Sequence, residues 1–304
     1  MNRRNRGAAI VLAMLIAALA AAVAVTVFAD QQRWSRTVEH RRDQVQAQAL
    51  VMAGVQWARQ VLDDDARRSD IDHLREPWAI PLPPIPLDNG EIRGGIVDAQ
   101  ARLNINALGD TGPAGDIARK RIATLFAQRG GPTASLDAIA DWIDADALVR
   151  ESGAEDAFYA AQPVPGLPAD APFVRIAELA PVKGVTARSL DAITPFTSAL
   201  PAATPVNVNT APPEVLATIV DGLDTERLAA LIADRATKPF ASVSDFRSRL
   251  PKGASLSSES ALAVRSSNFY VTVEARQGET LARARALLRR SAGAPTAVVW
   301  QVVE

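Results

Sequence analysis

The hydrophobic pattern changes period several times along the chain. From Ala8 to Ala29 the residues are apolar except for Thr26. At about 1.5 Å per residue this run is roughly 33 Å of helix, the thickness of a bilayer hydrocarbon core. Between Gly7 and Pro77, Gly54 is the only glycine and proline is absent. Val51, Val55, Ala58 and Leu62 then recur at the spacing of one helical face. The pattern predicts one helix from Ala8 to Leu62, lipid-compatible in its first half and amphipathic in its second. Part of the face from Val51 to Leu62 is expected to remain free for partners.

Pro77 to Asn89 holds five prolines and reads as an extended connector rather than a helix. A strand follows from Glu91 to Asp98. Three more are predicted at Asn268–Arg276, Thr280–Arg289 and Thr296–Val303, with Gln277-Gly278 as a turn. Leu281, Arg283 and Arg285 alternate with Ala282, Ala284 and Ala286, the signature of a sheet with one buried face. Residues 106–263 read as helices and loops, divided into subdomains of about 106–203 and 204–263. Within them Leu179, Val182, Gly184, Val185, Leu190 and Ile193 recur 38 positions later as Ala217, Val220, Gly222, Leu223, Leu228 and Leu231. Each copy predicts two helices joined by a tight turn and capped by Thr186 or Asp224. The expected fold is α+β: a long N-terminal helix with an antiparallel sheet, interrupted by a helical insertion.

Composition narrows the chemistry. Among 304 residues there is no Cys and there are only two His, His40 and His73. That excludes disulfides, thiolate zinc sites, cysteine nucleophiles and multi-histidine metal centres. The overall charge of −1 hides an asymmetry: residues 106–263 carry 19 Asp plus Glu against 14 Lys plus Arg. Helix-turn-helix repeats can grip a DNA phosphate, but Asp221, Asp224 and Glu226 surround the second turn, so nucleic acid is not an expected partner. The sequence contains no P-loop, dinucleotide fingerprint or nucleophile elbow, and the chain is not expected to be an enzyme. Trp57, Trp78, Trp142 and Trp300 are expected to be buried, and Trp34 to sit at a membrane interface.

Arg3, Arg4 and Arg6 precede the apolar run, a bias expected to keep the N-terminus cytoplasmic and send the bulk of the chain across the membrane, which in a bacterium would be the inner membrane with the bulk in the periplasm. A conventional signal cut near Ala18-Leu19-Ala20 or Ala20-Ala21-Ala22 is the rival reading, with an exported protein- or DNA-binding product. The run is longer than an ordinary signal core, which favours an anchor. A short basic leader, Gly7, Ala8 and then a helix that continues into an amphipathic one resembles the leader of type IV pilins and pseudopilins. That resemblance implies cleavage by a prepilin peptidase between Gly7 and Ala8. Most pilins carry glutamate as the fifth residue after the cut, where this sequence has Leu12. Leu12 offers nothing to a neighbouring terminal amine, which implies a subunit at a filament tip.

Three further stretches are similar to the type II secretion minor pseudopilin K family: Asp98 to Asn106; Asp141-Trp142-Ile143-Asp144-Ala145-Asp146 with Gly153 to Asp156 and Tyr159; and Pro205 to Leu216. The first is expected to be a strand. The resemblance implies a pilin-like frame around a SAM-like or helix-hairpin-helix-like α-domain. Its implied role is a tip complex, with other minor pseudopilins and the major pseudopilin, that initiates or caps a periplasmic pseudopilus for protein export. The tip of a type IV pilus is the nearest alternative. On this reading the leader is 1–7, the membrane half of the helix 8–29 and the first part of the frame 30–105. The inserted α-domain is 106–263 and the C-terminal strands are 264–304.

The acidic residues offer the remaining chemistry. Asp137, Asp141 and Asp144 fall at i, i+4 and i+7, one face of a helix, with Asp146, Glu151, Glu155 and Asp156 close behind. Read from spacing alone they are a solvated face or a cation site, and they do not match an EF-hand. The family resemblance implies calcium, with Asp144, Asp146, Glu155 and Asp156 as ligands.

Overall fold

The computed structural model describes residues 3–256, 258–259 and 261–304, with side chains from Ile10 onwards. In chain order, helix α1 (Arg3–Ala66) is followed by strands β1 (Leu82–Leu87) and β2 (Gly90–Asp98) and by the short β3 (Leu103–Asn104). Helices α2 (Gly112–Arg129), α3 (Leu136–Ile143), α4 (Asp156–Ala160) and α5 (Ala187–Ile193) come next. Then come β4 (Thr197–Ser198), β5 (Val206–Asn207), α6 (Pro213–Ile219), β6 (Val220–Asp221), α7 (Thr225–Thr237) and α8 (Val243–Ser248). Two-residue strands β7 (Ser255–Leu256) and β8 (Leu262–Ala263) precede the long strands β9 (Asn268–Gln277), β10 (Thr280–Ser291) and β11 (Ala294–Val303).

The main sheet has the order β1-β2-β9-β10-β11, antiparallel throughout. The amphipathic half of α1 lies across one face of it. Ala282, Ala284, Ala286 and Leu288 of β10 turn inward with Phe269, Val271, Val273 and Ala275 of β9, and meet Ala47, Val51, Val55, Ala58 and Leu62 of α1. Gly54 allows this closeness: a Cβ there would lie 2.6 Å from Val273 Cγ1.

Several expectations are corrected. The helix is longer than Ala8–Leu62, extending from Arg3 to Ala66. The stripe of Val51, Val55, Ala58 and Leu62 is itself fully covered by the sheet. The exposed apolar residues of that region are Val38, Val45 and Met52, spaced by seven, together with Trp57. Trp57 is 50% exposed because it stands two residues, about 200° of helix, from the buried Val55. Trp300 is only half-buried, whereas Trp78 and Trp142 are buried. The proline-rich connector is partly a strand: β1 pairs with β2 from Leu87↔Gly90 to Leu82↔Gly94, at the sheet edge, where the missing proline N–H groups cost no ladder bond on the open side.

The chain leaves the sheet after Asp98 and rejoins it at Asn268. The intervening α-domain follows one plan twice. In the first pass, β3 pairs in parallel with β4, and Asn106 clamps the backbone of Phe173, accepting from its N–H at 2.8 Å and donating to its carbonyl at 2.9 Å. In the second, β5 pairs in parallel with β8, and Asn209 clamps Phe240 with the same two distances. Each Phe follows a proline, and Gly184 and Gly253, eleven and thirteen residues further on, both adopt positive φ. The repeat read at an offset of 38 also has a structural basis: Gly184 and Gly222 share a left-handed backbone, and Thr186 and Asp224 cap α5 and α7.

Candidate functional site

The apolar half of α1 is exposed along its length, Leu12 included at 59%. It is long and apolar enough to cross a membrane, with a mean hydropathy of 2.8 in its most apolar stretch of 18 residues. Gly7 and Ala8 lie within this helix, and their side-chain surroundings fall outside what is described.

The acidic stretch is organised by Asp141. It is fully buried; its Oδ1 accepts from Arg150 Nη1 at 2.5 Å and its Oδ2 from the Arg150 and Ala154 amides at 3.2 and 2.9 Å. The loop can wrap this closely because residue 153 is glycine: a Cβ there would lie 1.8 Å from Asp141 Oδ2. Trp142 stacks edge-on against Tyr159 and flat against Phe173, fixing the loop to the core. The three aspartates do not share a helical face. Asp137 pairs with Arg119, and α3 ends at Ile143, so Asp144 is extended and receives the second bond from Arg150.

Asp144 Oδ1 and Glu155 Oε1 are buried with no hydrogen-bond partner among the described residues. Glu155 is 7% exposed, and its pKa is pushed up first by burial and then by the charges of Asp141, Asp144, Asp170 and Asp146. The structure thus brings Asp144, Asp146 and Glu155 into one electrostatic neighbourhood and adds Asp170, which lies far along the sequence. Asp146 also caps the Leu148 amide. Asp156 opens α4 and is exposed. Asp144 and Glu155 thus present unpaired buried acceptors among crowded like charges, but among the described residues the carboxylate oxygens that all lie within 4.8 Å of one another are those of Asp65, Asp72 and Glu76.

A second polar centre lies where the frame meets the α-domain. Asp98, at the end of β2, is buried. Its Oδ2 accepts from Asn207 Nδ2 at 3.0 Å, Thr210 Oγ1 at 2.5 Å and Ser266 Oγ at 2.6 Å, and its Oδ1 from the Gln100 amide at 2.8 Å. That last bond ends the strand. Asp98 to Asn106 is therefore not one strand but the end of β2, a 3-10 turn at Ala99–Ala101 and the short β3.

Beside it, Arg290 of β10 donates to Asp65 Oδ2 at 2.8 Å, Asp72 Oδ1 at 2.6 Å and the Ser266 carbonyl at 2.8 Å. Glu76 accepts from Trp78 Nε1 and the His73 amide. Asp65, Asp72 and Glu76 lie close enough to share a metal ion, but the guanidinium of Arg290 already supplies the cation. Burial pushes Asp98 up to about 6 against its hydrogen bonds, and burial with the charge of Glu76 pushes Asp65 up to about 6. Sequence reasoning missed this junction. The available signal was the repeated Asn-x-Asn of Asn104/Asn106 and Asn207/Asn209, whose four asparagines are all buried.

A long helix laid across an antiparallel sheet, with a helical insertion between its strands, defines a pilin-like protein. Residues 101–202 and 206–265 match the family described as Type II secretion system (T2SS), protein K. Type II secretion system protein K of Pseudomonas aeruginosa is 31% identical over 92% of this chain and 87% of its own length. That of Pectobacterium carotovorum is 28% identical over 96% and 94%. Among solved structures, the GspK-GspI-GspJ complex from enterotoxigenic Escherichia coli contains a chain with the same fold, at a TM-score of 0.77 and 24% identity, covering 88% of this chain and 99% of that one. The chain belongs to the type II secretion system protein K family. It is a minor pseudopilin of that system.

Proposed function

We propose that this minor pseudopilin occupies the tip of a periplasmic pseudopilus, where it joins other minor pseudopilins to initiate or cap the filament. The observation that carries the reading is α1 itself. It is one unbroken 64-residue helix whose apolar half is exposed and whose second half lays one buried face against the sheet, so a membrane-embedded spine is joined rigidly to the periplasmic frame. The solved GspK-GspI-GspJ assembly supports minor pseudopilin partners, and Leu12 in place of an acidic residue supports a subunit with none above it. The role is structural rather than catalytic, with no nucleic acid bound.

On this proposal a prepilin peptidase cuts between Gly7 and Ala8, the new terminus is methylated, and the protein stays in the inner membrane with its N-terminus cytoplasmic. The major pseudopilin is met below the tip. Mass spectrometry after co-expression with a prepilin peptidase tests this: a methylated terminus at Ala8 is expected, and a terminus beyond Ala20 would contradict it. Leu12→Glu is expected to leave secretion intact, and its complete loss would contradict the tip reading of that position.

The acidic loop is proposed to bind calcium structurally. Asp144 and Glu155, with acceptors already buried and unpaired, would hold the ion together with Asp146, and Asp170 stands in the same neighbourhood. A bound divalent ion would offset the mutual repulsion of these carboxylates and fix the loop. Asp156, also implied by the family resemblance, opens α4 with its side chain exposed, so its carboxylate is not among the buried unpaired acceptors.

A further inference from the structure

The face of the sheet turned away from α1 is only partly covered. Between it and the α-domain runs a groove of about 500 Å³, with Val97, Tyr270 and Trp300 among the residues that line it and Arg102, Arg175 and Arg285 at its sides. Val97 is 47% exposed, and Tyr270 and Trp300 are half-buried, their rings 6.2 Å apart. Among the described residues, Asp191 is the only acidic one lining the groove, against three arginines, in a chain whose overall charge is −1.

Two of these arginines have acidic partners, Arg175 with Glu178 and Arg285 with Glu304. Arg102 has none. Its guanidinium lies over the Tyr270 ring at 5.8 Å and reaches one carbonyl, that of Thr194, at a long 3.4 Å. Burial lowers its pKa, and the charge of Asp98 offsets that only in part. A guanidinium with one long bond to a carbonyl and no paired carboxylate, beside an apolar floor, is what an incoming carboxylate would satisfy.

We propose that this groove holds an extended, carboxylate-bearing segment of a partner polypeptide, with an acidic side chain on Arg102 and an apolar one over Tyr270 and Trp300. The neighbouring strand β11 is the last of the sheet and presents an open edge alongside which an extended segment fits. The proposal is independent of the tip-complex reading, since it concerns a face of the frame and not the membrane helix.

The test is fluorescence anisotropy of a labelled, acetylated and amidated heptapeptide alternating glutamate with leucine, titrated with the full chain in detergent micelles. Saturable binding is expected, weakened roughly tenfold or more by Arg102→Gln and largely restored by Arg102→Lys. Val97→Glu, which puts a like charge on the floor, should weaken binding as well, whereas Arg33→Gln on the exposed helix should not. Three results would each overturn the proposal: no saturation at millimolar protein, equal binding of the peptide with glutamine for glutamate, or an unchanged affinity in both Arg102→Gln and Val97→Glu. Competition by free glutarate as effective as by the unlabelled peptide would also overturn it, by revealing a small-anion site.

Discussion

Asn207 donates from Nδ2 to Asp98 Oδ2 at 3.0 Å, joining two residues 109 positions apart in the chain. Asp98 ends a strand of the frame, and Asn207 begins the second pass of the α-domain. The same amide also donates to the Asp72 carbonyl and to Ser266 Oγ, so one side chain binds the connector, the sheet and the insertion together. Without such a junction an inserted domain would hang on two exits of the sheet and could not transmit a fixed orientation from the helix.

Removing Asn207 leaves Asp98 buried with fewer donors. An unsatisfied buried group costs about 1–3 kcal/mol, so Asn207→Ala is expected to lower stability by about that much without changing the main sheet. Urea unfolding of the full chain in micelles, with circular dichroism as readout, checks it.

The same junction has a definite pH dependence. Asp98 is pushed up to about 6 in the folded chain, above its ordinary value near 3.8. Between about pH 4 and 6 the folded state therefore holds a proton that the unfolded state has released, and the contribution of Asp98 falls as pH rises through that window. Asp98→Asn removes this dependence, so its cost should be larger at pH 4 than at pH 7. Urea midpoints of both proteins across that range provide the comparison.

Arg290 is the counter-ion for a crowded acidic pocket. Arg290→Met leaves Asp65 and Asp72 buried without it, and about 3–5 kcal/mol of destabilisation is expected. Because Asp65 is already raised to about 6, the loss should be smaller at pH 5 than at pH 7.5, as protonation replaces the missing cation. A loss independent of pH would mean that packing, not charge, is what Arg290 supplies.

For the acidic loop, millimolar calcium is expected to raise the melting temperature of the full chain by linkage. Glu155→Gln should abolish the rise while leaving the frame intact, and Asp156→Asn should leave it in place. An identical thermal response in wild type and Glu155→Gln would remove Glu155 from any cation site.

Much of the fold was legible in the sequence because it rests on periodicity. The 3.6-residue pattern of α1 and the alternation of Ala282, Ala284 and Ala286 with Arg283 and Arg285 specify a helix and a half-buried strand whatever surrounds them. Features that depend on a neighbour were not. β1 is a strand only because β2 supplies its partner, and its prolines read locally as a connector. Trp57 looked like a core residue by type, yet its angular position puts it opposite the sheet. The spacing of Asp137, Asp141 and Asp144 implied a shared helical face, but α3 stops at Ile143 and Arg150 folds back onto Asp141. At the cation candidate, Asp144, Asp146 and Glu155 came from the family resemblance rather than from spacing, whereas Asp170 enters only through the fold, as a charge acting on Glu155. The Asp98 junction was the least legible, since its members come from five distant stretches and only the repeated asparagines marked it.

The central claim is that this chain assembles at a tip with other minor pseudopilins. Native mass spectrometry of the detergent-extracted chain, co-expressed with the minor pseudopilins of the same system and a prepilin peptidase, tests it most directly. The account predicts a discrete complex containing one copy of this chain with its partners, its mature terminus at Ala8. Recovery of this chain alone, while the remaining minor pseudopilins associate without it, would contradict the account.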